Sequence, residues 1–157
     1  MRTLRKINFA LGIAGAVLTV IMMVVVLYDV FRRYVLNDPT IWAFDIASFL
    51  LVYIIFLGLA LALQDGSHVS VDIFLILFRD RVRRALRIIG LALTVVYGGV
   101  LTWVVARYTM QAFEMDWKAI SLVPISLKYV YIVGPLGALL FTVTAIGLTI
   151  EFVRGDE

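Results

Sequence analysis

Striking every Asp, Glu, Lys and Arg from the sequence leaves four long uncharged runs: Ile7 to Tyr28, Ile46 to Gln64, Ile88 to Ala106 and Tyr129 to Ile150. Each approaches the ~20 residues an α-helix needs to cross a hydrocarbon core. An ionised side chain at the bilayer centre costs ~2.5 kcal/mol or more, so such runs mark spans. With their flanks they predict four transmembrane helices, over residues 7–30, 41–64, 86–108 and 124–152 of one membrane domain. The fold class expected is an all-α integral membrane protein.

The connections carry the polar pattern. Leu36 to Thr40 reads as a turn, with Asp38 as N-cap of span two and Pro39 at its first helical position. Between spans two and three, Val71 to Phe78 is apolar but too short to cross, and Arg79, Arg83 and Arg87 follow on one helical face with Phe78, Val82, Ala85 and Ile89 on another. That pattern predicts an amphipathic helix in the cytoplasmic headgroup region, its arginines against lipid.

Orientation follows from Lys and Arg, which are retained in the cytoplasm. With the N-terminus inside, nine fall on the cytoplasmic side (Arg2, Arg5, Lys6, Arg79, Arg81, Arg83, Arg84, Arg87, Arg154) and five outside (Arg32, Arg33, Arg107, Lys118, Lys128). Both termini are therefore expected in the cytoplasm. The first run exceeds the ~7–15 residues of a signal-peptide core and lacks a small-x-small cleavage site, so an uncleaved anchor is expected. Trp42, Trp103, Trp117, Tyr108, Tyr129 and Tyr131 gather at the outer ends of the spans, as an aromatic belt.

Composition agrees. Hydrophobic residues make up 63% of the 157 and charged residues 16%, and mean hydropathy is +1.03, beyond what a soluble domain can cover with polar surface. The net charge of +3 sits between apolar runs, which points to lipid headgroups and not to nucleic acid. With no cysteine and one histidine, a disulfide framework, a thiolate nucleophile, an iron–sulfur site and a bis-His haem within the chain are all excluded. No nucleotide-binding, nucleophile-elbow or zincin motif occurs, and neither a catalytic centre nor a cofactor is expected.

Several residues have two readings. Gly90, Thr94, Gly98 and Thr102, followed by Ala106, repeat every four positions, a spacing that lets helices approach closely in lipid, either within the chain or against a partner. Asp29, Arg32 and Arg33 stand at i, i+3 and i+4 with Asp45 at similar depth. They form either a polar clamp between spans one and two or a substrate or ion site. His68 and Asp72, with Asp65, could align on one face as metal ligands, but two carboxylates and one imidazole are a thin set. A loop-to-helix junction capped by Ser70 is the plainer reading. Pro124 and Pro135 flank the start of span four; Pro135 bends it and frees the carbonyl of Tyr131.

In order and spacing, the chain resembles the small membrane subunit of tripartite ATP-independent periplasmic (TRAP) transporters. The resemblance is carried by Asp29-Val30-Phe31-Arg32-Arg33-Tyr34, Trp42 with Asp45, Phe56-Leu57-Gly58, His68-Val69-Ser70-Val71-Asp72, and Pro124 with Tyr131 and Gly134-Pro135-Leu136-Gly137. Asp45 stands where the family usually has glutamate. The resemblance implies a bacterial inner-membrane complex with a large membrane subunit that holds the solute and sodium sites, and a periplasmic solute-binding protein. It implies organic-acid uptake, with this subunit bracing the large one. A stand-alone transporter or channel acting as a homo-oligomer, and a membrane anchor of a quinone-linked enzyme, are the alternatives.

Overall fold

The computed structural model describes residues 2–65, 80–118 and 126–155. These form α1 (Arg2–Val35), α2 (Ala43–Gln64), α3 (Asp80–Glu114), a short α4 (Leu127–Tyr131) and α5 (Val133–Arg154). Four helical stretches are long and apolar enough to cross a membrane: Thr3–Val35, Ala43–Gln64, Arg84–Glu114 and Leu127–Arg154. They are apolar on nearly every side, which only a lipid surround tolerates at this length. At 1.5 Å per residue, the 34 residues of α1 and 35 of α3 reach roughly 50 Å, so both tilt within or project beyond a ~30 Å core.

Helix ends follow local chemistry. After Val35 the chain turns through Asn37, at φ 51°, and the carbonyl of Arg32 accepts from the amides of Leu36 and Asp38, both at 3.2 Å. Asn tolerates this left-handed geometry better than most residues. Past α3 the same device uses Asp116, at φ 43°, with the Trp117 amide donating to the Ala112 carbonyl at 3.2 Å, the long bond of a Schellman ending. Gly155, at φ 76°, closes α5 in the usual glycine manner.

The Asp38 cap expected for span two is not formed. That helix begins at Ala43, after Trp42, with no side-chain cap, because the carboxylate of Asp38 is engaged by Arg32. Residues 80–87, the arginine-rich segment, are the first turns of the same helix as span three. The earlier part of that segment, with Arg79, lies outside the described residues, as do His68, Asp72 and Pro124.

Packing runs as a row: α1 lies on α2, α2 on α5, and α5 on α3. The centre of the row holds the core, Leu63 with Phe141 and Ala145, backed by Leu59, Val95 and Leu148. The outer helices α1 and α3 are largely exposed, presenting Phe9, Ile13, Val24, Ile89, Val96 and Val100 outward. Close crossings are made by glycines of α5. A Cβ on Gly137 would lie 2.8 Å from the carbonyl carbon of Phe56 in α2, and one on Gly134 would lie 2.5 Å from Val105 Cγ1 in α3.

Candidate functional site

The outer end of α1 is fastened to the loop that follows it. Asp29 Oδ1 accepts the Thr40 amide at 3.0 Å and the Thr40 hydroxyl, and its Oδ2 accepts Arg33 at 2.8 Å. Arg32 pairs with the Asp38 carboxylate, donates to the Asp38 carbonyl at 3.2 Å and lies over Tyr28, which stacks with Trp42 at 6.1 Å. Asp29, Arg32 and Arg33 are thus brought together. Asp45 is not: among the described residues it makes no ion pair, because Asp38 and Asp29 lie nearer in sequence to Arg32 and Arg33 and occupy them. The clamp therefore holds the α1–α2 connection, not α1 to the body of α2.

The small-residue stripe of α3 divides into two halves. A Cβ on Gly98 would meet Thr142 Oγ1 at 2.7 Å and Phe141 Cδ1 at 3.1 Å, and the Thr102 hydroxyl lies 3.1 Å from that of Thr142. This half packs against α5. Gly90 has nothing within 4 Å of such a Cβ, and Thr94 lines an open groove with Leu59, Leu63, Leu93, Tyr97 and Phe141.

At the break before α5, the Thr109 hydroxyl sits 2.9 Å from its own helix's Val105 carbonyl and 3.2 Å from that of Tyr131. It supplies the donor that Pro135, lacking an N–H, cannot. Tyr53 reaches the carbonyl of Tyr129 at 2.5 Å, tying α2 to the same turn. The loop after α3 is closed by a Lys118–Ser126 bridge and by Lys128, 3.1 Å from Asp116. The hydrogen bond and charge of Lys128, with a smaller contribution from Lys118, hold the Asp116 carboxyl below its ordinary pKa despite partial desolvation. Trp103, Tyr108 and Tyr129 are exposed at this end, and Arg107 lies 5.2 Å over the Trp103 ring.

One polar node was missed by the sequence reading. Asn8, fully buried, donates to Gln64 Oε1 at 3.1 Å and to Thr144 Oγ1 at 2.9 Å, joining α1, α2 and α5 near the opposite end from the clamp. Its Oδ1 accepts no hydrogen bond among the described residues. Arg5 lies 3.8 Å from Glu151 at the same end, linking α1 to α5. The signal was present as an amide inside an uncharged run; a search for charges passes over it.

Among the described residues no group of His, Cys, Asp and Glu is arranged to hold a metal ion. Each Ser, Thr, Asn and Gln within the four uncharged runs bonds its own helix backbone or another helix of this chain. These features define a multi-pass helical membrane protein whose polar side chains either bond their own helix or fasten neighbouring helices together.

The chain belongs to the DctQ component of the tripartite ATP-independent periplasmic transporters, whose family model matches residues 22–155. The family is one of transporters, not enzymes, and the chain is a multi-pass inner-membrane protein of it. It is 32% identical over 75 residues to the sialic acid TRAP transporter small permease protein SiaQ of Vibrio cholerae, covering 47% of this chain and 43% of that protein. It is also 27% identical over 70 residues to the sialic acid TRAP transporter permease protein SiaT of Haemophilus influenzae, covering 45% of this chain and 11% of that one. The matched stretches thus span less than half the length of either relative.

Proposed function

We propose that this chain is the small subunit of a sodium-coupled TRAP system, bracing a large membrane subunit that carries the solute. A periplasmic solute-binding protein completes the system. The observation that carries this reading is that each Ser, Thr, Asn and Gln within the four uncharged runs makes a hydrogen bond to its own helix backbone or to another helix of this chain, alongside the lack of charge in those runs. A solute pathway needs polar groups turned toward it, and here they are engaged by their own helix backbone or by neighbouring helices. The exposed flanks of α1 and α3 offer apolar area to a larger partner. Both relatives are named for sialic acid, a carboxylic acid, which supports an organic-acid solute.

In this reading both termini are cytoplasmic, the arginines of residues 79–87 meet the inner headgroups, and the clamp of Asp29, Arg32 and Arg33 faces the periplasm. The test is uptake in proteoliposomes. The complex with its binding protein should accumulate solute under a sodium gradient, the large subunit alone should be impaired, and this chain alone should transport nothing. Robust uptake by this chain alone would refute the proposal. Orientation is read separately: the chain has no cysteine, so single cysteines at Asn37 and Lys118 should react with an impermeant thiol reagent from outside while one at Arg83 should not.

A further inference from the structure

Both α2 and α3 pack on α5, yet they have no packed interface with each other. The gap between them has a volume of about 390 Å³ and is floored by Phe141, with Leu59 and Leu63 on one wall and Leu93, Thr94 and Tyr97 on the other. We propose that this gap binds one anionic phospholipid, an acyl chain lying along the Phe141 floor and the phosphate held at Arg84 and Arg87.

The lining is suited to a hydrocarbon chain. Of its two hydroxyl-bearing wall residues, Thr94 turns that group to the carbonyl of Gly90 at 2.9 Å and so presents mainly its methyl, and Tyr97 sets its ring edge-on to Phe141 at 6.2 Å.

Charge supplies the second half of the argument. Thr94 follows Arg87 by two turns, or about 10 Å along the helix, and the glycine between them at position 90 has open space where a side chain would stand. Arg87 lies over the Phe152 ring at 4.7 Å, and Phe152 follows Phe141 by about three turns of α5, which holds the guanidinium on the groove side. Arg84 is exposed one turn further out, and residues 79–87 carry five arginines against one aspartate. An apolar slot ending under a cationic rim matches an anionic phospholipid and mismatches a zwitterionic one.

The test is native mass spectrometry of the full chain, purified in detergent and offered phosphatidylglycerol or phosphatidylcholine with identical acyl chains. One phosphatidylglycerol should survive per chain at activation energies that strip phosphatidylcholine. Arg84→Gln and Arg87→Gln should each lower retention about fivefold, the worth of one basic residue near an anionic headgroup. Thr94→Phe should lower it by filling the slot. Ala62→Phe, at an exposed position of the same lining, should do the same and decides the matter if Thr94→Phe misfolds. Equal retention of the two lipids would overturn the proposal. So would arginine variants that lose lipid while both fillers keep it, which would mean a headgroup patch without a groove. A photocrosslinker at Leu93 in the assembled complex should yield lipid adducts; capture of a helix of the large subunit instead would also overturn it.

Discussion

Gly137 offers a sharp test of how the row of helices is held together. Replacing it with alanine adds one methyl that would stand 2.8 Å from the Phe56 carbonyl carbon, with the carbonyl oxygen nearer still. Ordinary contact begins near 3.4 Å. These are backbone atoms of α2 and cannot rotate away, so α2 and α5 must separate by about half an ångström or more. A gap of that size forfeits a quarter to a half of each dispersion contact along the crossing, and overpacking of this kind costs ~1–3 kcal/mol. Alanine returns up to ~1 kcal/mol through its better helix propensity. The net expectation is a loss of about 1–2 kcal/mol. Gly90→Ala is the control: with nothing within 4 Å of the new methyl, it should be neutral or slightly stabilising. Gly98→Ala should fall between, because its neighbours Thr142 and Phe141 are side chains that can yield. Reversible unfolding in mixed micelles measures all three. A Gly137→Ala protein as stable as the parent would refute the close crossing, and a Gly90→Ala protein as damaged as Gly137→Ala would refute the division of the stripe.

Three further outcomes can be measured in the same system. In double-mutant cycles, Asp29 and Arg33 should couple weakly, as partly exposed pairs do, whereas Asp45 and Arg33 should be additive; coupling of the second pair would restore the longer clamp. Thr109→Val should cost about 0.6–1.7 kcal/mol, the range for hydrogen bonds between membrane helices, and less in a Pro135→Ala background, where a restored backbone N–H can serve the Tyr131 carbonyl; an equal cost in both backgrounds would break the link between hydroxyl and proline. Because the folded-state pKa of Asp116 lies below its ordinary value of 3.8, its pairing with Lys128 contributes fully above that value and is lost as pH falls through the lowered one; a carbon-detected titration should show the Asp116 carboxyl moving up in Lys128→Gln, and an unchanged midpoint would remove Lys128 as the cause.

The four spans were legible because the bilayer imposes one severe rule, that charge stays out of its core, and all four uncharged runs coincide with helices long enough to cross. Where helices begin was less legible, since that is settled by competition among nearby polar groups. Asp38 has the chemistry of an N-cap, but Arg32 stands six residues before it and forms the stronger, charge-assisted contact, so the helix starts at Ala43 without a side-chain cap. The same preference for near neighbours explains the clamp. Arg33 is one helical turn from Asp29 on its own helix, and Asp45 would have had to compete from another.

Contacts between helices were the least legible, because a spacing on one helix says that something comes close without saying what. The longest small-residue stripe, on α3, suggests the tightest seam, yet a more severe approach belongs to Gly137 of α5, where the opposing atoms are backbone. The reason lies in the order of the row. Since α5 stands between α2 and α3, it is packed on two sides, and a glycine makes the close approach on each, Gly137 toward α2 and Gly134 toward α3. An outer helix has only one flank to fit. Half of its stripe, Gly98 and Thr102, is consumed by that fit, and the other half, Gly90 and Thr94, stays open beside the groove. A small-residue pattern longer than its intramolecular seam is thus the mark of an edge helix with further surface to offer.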